Sequence, residues 1–223
     1  MSSKSLVHIS DRVDESIFSV DDYKALSRGK YKTKFRGVSM QKDPISLEIY
    51  RSLLEDKNFG TIFEFGSLYG SSAAWLKHMS PDSVIYSFDI NCDNINDKFR
   101  NIPGLNFNYL DANTPEMISR DILSVASKPW LIIEDCHVNV LNLTNYMYDW
   151  TSSGDYIVIE DTNPIGPDKP LIDETIEYVP FGNKKLDIAK KFGMNKHVYI
   201  DTEYCDRFGL NASNQWNSIF KIT

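Results

Sequence analysis

The stretch TIFEFGSLYGSSAAWLKHM, residues 61–79, reads as a strand, a glycine turn and a helix in direct succession. Positions 61–65 form the short apolar run of a strand buried on both faces, and Ser71 to Met79 carry good helix formers. The same unit recurs along the chain. VIYSFD (84–89), WLIIED (130–135) and DYIVIED (155–161) read as further buried parallel strands, and LNFNYL (105–110) as a weaker one. Helical patterns fall around and between them: DPISLEIYRSLLED (43–56), with Asp43 as N-cap and Pro44 as first residue, TPEMISRDILS (114–124), capped by Thr114, and 139–150. Strands alternating with helices imply right-handed crossovers in a doubly wound, mostly parallel α/β sheet. After a helix near 184–192, HVYI (197–200) and NSIFKI (217–222) are expected to pair as a C-terminal antiparallel hairpin.

The 223 residues contain 42% hydrophobic and 25% charged side chains, the balance of an ordinary globular chain. A net charge of −7 argues against nucleic acid as a partner. Cys92, Cys136 and Cys205 are too few and too scattered for a disulfide framework or a Cys-x-x-Cys zinc site, which implies a reducing, cytoplasmic setting. No stretch approaches the roughly 20 apolar residues of a membrane helix. The expected organisation is an N-terminal arm, 1–42, followed by one domain, 43–223.

Ligands of doubly wound folds bind at the carboxyl ends of the strands, near the point where the strand order reverses. Glu64, Gly66, Ser67, Tyr69 and Gly70 lie there. The spacing is Gly-x-x-x-Gly, not the Gly-x-Gly-x-x-Gly of dinucleotide sites, so a nicotinamide dehydrogenase is disfavoured. Asp89 ends the second strand 23 positions after Gly66, as expected of an acid that holds ribose hydroxyls, and an adenosine-type ligand fits. Alternatively, the glycines only close a tight turn and Asp89 caps the next helix.

IIED (132–135) and VIED (158–161) each end a strand with two acids, 26 residues apart, the length of one crossover. On neighbouring strands roughly 4.8 Å apart, such acids repel one another and call for a cation. Oxygen ligands favour Mg²⁺ or Mn²⁺. The expected ligands are Glu134, Glu160 and Asp161, with Asp135 as the substitute for Glu134. The competing reading is that the acids cap helices or pair with lysines. His137 follows the first pair and is the candidate general base, unless it serves as a hydrogen-bonding or capping group.

With these motifs the chain resembles the cephalosporin hydroxylase-like and rhamnosyl O-methyltransferase family of S-adenosylmethionine-dependent methyltransferases. The resemblance runs through RGVSMQKDP (36–44), EFGSLYGSS (64–72), IEDCH (133–137) and GDYIVIED (154–161). It implies a Rossmann-like methyltransferase sheet, with Glu64 and Gly66 at the methionine part of S-adenosyl-L-methionine, Asp89 at its ribose and Asp111 near its adenine. It implies Mg²⁺ at Glu134, Glu160 and Asp161, and a biosynthetic O-methyl transfer to a hydroxyl of a sugar or natural product. Family members usually carry Gly-Gly-Ser at 70–72 and Asp at position 134, so Glu134 and Asp135 both remain candidates. Two alternatives stand beside this expectation: a metal-independent methyltransferase using His137 as base, and a non-catalytic S-adenosylmethionine-binding protein. The expected partners are a small-molecule acceptor, sugar-containing or anionic, and further copies of the chain in a homo-oligomer, with no nucleic acid and no membrane.

Arg28, Lys30, Lys32, Lys34 and Arg36 alternate in RGKYKTKFR. In an extended segment they would face one way, as a strip that attracts an anionic acceptor, with Tyr31 and Phe35 packing beneath. A solvated basic face is the plainer expectation.

Overall fold

The computed structural model describes residues 5–30, 32–164 and 183–223. In chain order the elements begin with β1 (Leu6–Val7), α1 (Val20–Lys30), β2 (Lys34–Phe35), β3 (Val38–Ser39) and α2 (Pro44–Asp56). The centre follows with β4 (Thr61–Phe65), α3 (Ser71–Met79), β5 (Val84–Asp89), β6 (Leu105–Tyr109), α4 (Arg120–Val125) and β7 (Trp130–Glu134). The remainder is α5 (Val140–Tyr148), β8 (Tyr156–Ile159), α6 (Asn183–Gly193), β9 (Val198–Asp201), α7 (Thr202–Cys205) and β10 (Ile219–Ile222).

Eight strands form one sheet in the order β1-β9-β10-β8-β7-β4-β5-β6. β4, β5, β6, β7 and β8 pair in parallel, whereas β10 is antiparallel to both β8 and β9. The chain builds outward from β4 to β6 and then crosses back to β7, so the order reverses between β4 and β7. Every residue of β4, β7 and β8 is buried, as the unbroken apolar runs predicted. Phe63 lies between Tyr86, at 5.6 Å between ring centroids, and Trp130, at 4.8 Å. Truncating so enclosed a ring costs about 3–5 kcal/mol.

Asp43 caps α2 as expected, accepting hydrogen bonds from the amides of Ile45 and Ser46 at 2.9 and 3.0 Å. The 114–124 segment differs from the continuous helix expected. A single 3₁₀ turn, Pro115–Met117, is followed by extended backbone at Ile118, and α4 begins only after Ser119. Ile118 is buried in the core in this conformation, and its packing overrides the helical pattern.

The N-terminal residues join the body of the fold. β1 pairs with β9, and the Arg12 guanidinium holds Asp206 through two 2.8 Å bonds and Asn217 through a third at 2.7 Å. In α1, Tyr23 packs 5.9 Å from Trp216 between ring centroids. The RGKYKTKFR stretch is therefore not the extended strip of the sequence reading. Arg28 and Lys30 are helical, and Arg36 turns at φ +48° beside Gly37 at φ +86°, in the two-residue loop that joins β2 to β3. Only Lys32, Lys34 and Arg36 of the five follow the helix, all exposed; Lys30 turns inward, and Tyr31 lies outside the described residues.

Candidate active site

The turn after β4 is set by backbone crowding. Gly66 has φ +109°, and a Cβ there would lie 2.6 Å from the carbonyl oxygen of Asp135, just beyond β7. Its amide donates to the Phe88 carbonyl at 2.8 Å, and Asp135 donates to the Phe65 carbonyl at 2.8 Å. The glycine thus lets the ends of three strands converge, whatever ligand they serve. Leu68, at φ +46°, donates its amide to Asp89 Oδ2 at 2.8 Å, while Asp89 Oδ1 accepts from Asn91 at 3.0 Å. Asp89 is fixed by backbone donors at the rim, and its carboxylate keeps lone pairs for hydroxyls of a ligand. Tyr109 (70% exposed) and Ile90 (61%) stand on the two strand ends beside it, with Leu68 and Tyr69 exposed on the turn. Together they leave large exposed hydrophobic side chains along the rim beside Asp89.

Glu64 is sealed beneath the turn. Its two oxygens accept from Ser72 of α3 and from Ser87 of β5, the latter at 2.6 Å, and Ser87 also meets Ser67 at 2.6 Å. Burial raises the Glu64 pKa against the opposing charge of Lys42. Gly70, at φ +76°, precedes α3 with no room for a Cβ, which would meet the Phe107 ring at 2.8 Å. Asp111 lies beyond β6 and braces its own turn through the Asn113 amide at 2.9 Å.

The four acids of the two pairs separate into distinct roles. Glu134 turns inward: its Oε1 accepts from the amides of Cys136 and His137 at 3.1 and 2.8 Å, and its Oε2 pairs with Lys185 of α6 at 2.8 Å. Asp135 Oδ2 and Glu160 Oε1 share the Lys42 ammonium, each at 2.6 Å, and Tyr50 donates to the same Glu160 oxygen at 2.6 Å. Asp161, at φ +55°, takes Lys30 on Oδ2 at 2.6 Å. The metal-type constellation among the described residues is Asp135, His137 and Asp161, whose donor atoms all lie within 4.8 Å of one another. Of the expected ligand set, the geometry brings only Asp161 into this group. Asp135 enters in place of Glu134, because the strand ends at Glu134 and alternation sends its side chain to the α6 side. Glu160 adjoins through Lys42. The lysine pairing of the competing reading is present at all four acids.

Burial opposes ionisation of Asp135, but Lys42, the His137 hydrogen bond and Lys30 outweigh it and hold this carboxyl well below the usual range. Glu160 goes the other way, pushed up to about 7 by burial and by the charge of Asp135, against the pull of Lys42. His137, itself at φ +60°, has Nδ1 3.0 Å from the Lys185 ammonium, which has only hydrogens to offer. Nδ1 is therefore the acceptor, and Nε2 carries the hydrogen toward Asp135, at 3.3 Å, and Asp161, at 3.5 Å. The chemistry of the donor set, two carboxylates and an imidazole, suits a hard divalent cation once that hydrogen and Lys30 give way, since Lys42 occupies the other oxygen of Asp135.

Lys30, Lys42, Lys185 and Tyr50 are the site residues that sequence reasoning missed. Lys42 carried a signal as part of the RGVSMQKDP segment, and Lys30 as a member of the basic strip, where it was expected to face an anionic acceptor and instead holds Asp161.

No protein-family model and no curated protein matches the sequence. Solved structures do match. A CmcI-N160 structure with SAH aligns at a TM-score of 0.67 and 18% identity, over 96% of this chain and 95% of that one. The chain has the CmcI fold. The CmcI-D160 Mg-SAM structure aligns at 0.65 and 20% identity, over 100% of this chain and 92% of that one. An O-methyltransferase from Bacillus cereus in complex with SAH aligns at 0.51 and 14% identity, over 85% of each chain. The CmcI fold here thus includes the antiparallel β10 inserted between β8 and β9, and its switch point is where the turn and the acids meet.

Proposed function

We propose that the protein is an S-adenosylmethionine-dependent O-methyltransferase that acts, with the help of Mg²⁺, on a hydroxyl of a small sugar or natural-product acceptor. The observation that carries this reading is the adjacency of two half-sites at the switch point: the Gly66 turn with Asp89 on one side, and Asp135, His137 and Asp161 on the other. The likeness in fold to structures holding SAM or SAH and Mg supports it. When bound, S-adenosylmethionine supplies an electrophilic methyl carbon, and a divalent cation lowers the pKa of an acceptor hydroxyl.

The chain's own residues then have separate tasks. Asp89 accepts hydrogen bonds from the ribose hydroxyls, positioned by the Leu68 and Asn91 amides. The exposed Tyr109, Ile90, Leu68 and Tyr69 cover the adenine, and Asp111 braces the far wall. Glu64 supports the turn from below through Ser72, Ser87 and Ser67, which leaves the backbone of Gly66 to Gly70 to face the methionine part. Asp135 and Asp161 hold the cation. Asp89 and the Gly66–Gly70 backbone would hold S-adenosylmethionine so that its methyl carbon passes to the acceptor oxygen, with its sulfur keeping the bonding electron pair. The hydroxyl proton would pass to a carboxylate oxygen of Asp135 or Asp161, because His137 Nε2 already carries a hydrogen toward them and Nδ1 is taken by Lys185, which leaves the imidazole an orienting donor rather than the base. In-line alignment of oxygen and sulfur is the main contribution of such a site.

The lysine held by each acid favours a second reading, a transferase that needs no metal, since Lys30 and Lys42 already neutralise the cluster. One experiment separates the two. Purified protein is incubated with S-adenosylmethionine, Mg²⁺ and a library of hydroxylated acceptors, including sugars and nucleotide-linked sugars, with methylated products detected by mass spectrometry. Turnover abolished by EDTA and restored by Mg²⁺ is the expected result. Turnover indifferent to EDTA supports the second reading, and S-adenosylmethionine bound without turnover on any acceptor overturns both.

A further inference from the structure

Lys30 and Lys42 each bring an ammonium to 2.6 Å of a carboxylate oxygen in the cluster, yet they are held differently. The Lys42 side chain, one residue before the cap of α2, is only 4% exposed and bridges Asp135 and Glu160, with Tyr50 on the same Glu160 oxygen. The Lys30 side chain is 17% exposed and comes from the last residue of α1, reaching Asp161, just past β8, from 131 residues away in sequence. Its target, Asp161 Oδ2, is the oxygen 3.5 Å from His137 Nε2 and belongs to the donor set described above. A cation of the size of Mg²⁺ needs a carboxylate oxygen at roughly 2.1 Å. Held on one buried oxygen, the cation and the ammonium would be near neighbours of like charge, with little water to screen them.

We propose that Lys30 is a built-in competitor for the divalent cation: the Lys30–Asp161 pair and metal binding at Asp161 exclude each other, so metal entry displaces the Lys30 ammonium from Asp161. Lys42, enclosed between two acids, stays. The inference rests on the metal-assisted reading above. It gives the N-terminal segment a function, since Lys30 then reports whether the cluster is loaded.

The test uses the full chain, stripped with chelator and titrated calorimetrically with Mg²⁺ and separately with Mn²⁺, beside Lys30→Met and Lys30→Gln. Two neutral variants guard against one of them failing to fold. Both should bind metal at least about tenfold more tightly than wild type, one competing contact having been removed. In wild type, saturating Mg²⁺ should raise acetylation of Lys30 by an amine-reactive reagent severalfold, read by peptide mass spectrometry, with Lys42 unchanged. Equal metal affinity in all three proteins, or Lys30 labelling that does not respond to metal, overturns the competition while leaving the metal site standing. No metal binding in any of them overturns both the competition and the metal-assisted reading.

Discussion

Glu134 and Lys185 meet at 2.8 Å with neither side chain open to solvent, joining the end of β7 to α6. The same carboxylate holds the amides of Cys136 and His137. It therefore shapes the 134–137 turn from inside and sets Asp135 and His137 beside Asp161.

Removing one partner should leave an uncompensated buried charge. Lys185→Met is expected to destabilise the protein by about 3–5 kcal/mol in urea unfolding, and the Lys185→Met/Glu134→Gln double variant by clearly less. Asp135→Asn, at the half-buried rim, should instead lower Mg²⁺ affinity more than its stability. If Glu134→Gln and Asp135→Asn exchange these phenotypes, the ligand is Glu134.

Asp89→Ala should weaken S-adenosylmethionine binding by about tenfold to a hundredfold, the range of a lost hydrogen bond to a charged group. Calorimetric titration measures it, and circular dichroism checks that the sheet is intact. An unchanged affinity would move the ribose elsewhere.

Gly66 and Gly154 provide a matched pair. Both have φ near +100°, but a Cβ at Gly154 meets nothing within 4 Å, whereas at Gly66 it meets the Asp135 carbonyl. Gly154→Ala should cost about 1 kcal/mol of conformational strain, and Gly66→Ala at least about 2 kcal/mol, by thermal unfolding. Equal costs would mean that the crowding is relieved without penalty.

Glu160 sets a pH dependence. Its carboxyl, pushed up to about 7 in the fold against an ordinary 4.5, holds its proton more tightly folded than unfolded. Its contribution to stability is thus complete below about pH 4.5 and is lost as pH rises through 7. Glu160→Gln keeps a neutral group throughout, so relative to wild type it should gain up to about 3 kcal/mol between pH 4.5 and 7.5, at about 1.4 kcal/mol per unit. Urea unfolding at the two pH values reads this difference, and a constant gap between the proteins would contradict the shift.

The four central strands were legible because residues such as Ile62, Leu131 and Val158 are apolar on both faces, which only a covered parallel sheet requires. The carboxylate pairs were legible for the opposite reason, as charges at the ends of such runs. Which acid of a pair faces the ligand was not, since that depends on the residue at which pleating stops, here Glu134. The lysines were hidden further. Lys30, Lys42 and Lys185 reach the acids across dozens of residues, and no periodicity records such contacts. α1 escaped notice because its surface is mostly polar, with Tyr23 its only fully buried side chain among those described.

β10 follows every other strand in the chain, yet it lies inside the sheet, bonded to β8 on one side and β9 on the other. While the protein is being synthesised, β8 therefore emerges with one flank open, and β9 lacks the strand that bonds it to β8. Both present unpaired backbone to any passing strand until Ile219–Ile222 leaves the ribosome and closes the gap. A nonsense mutation shortly before residue 219 would not trim this protein but divide it, leaving two sticky edges where the wild type has a seam.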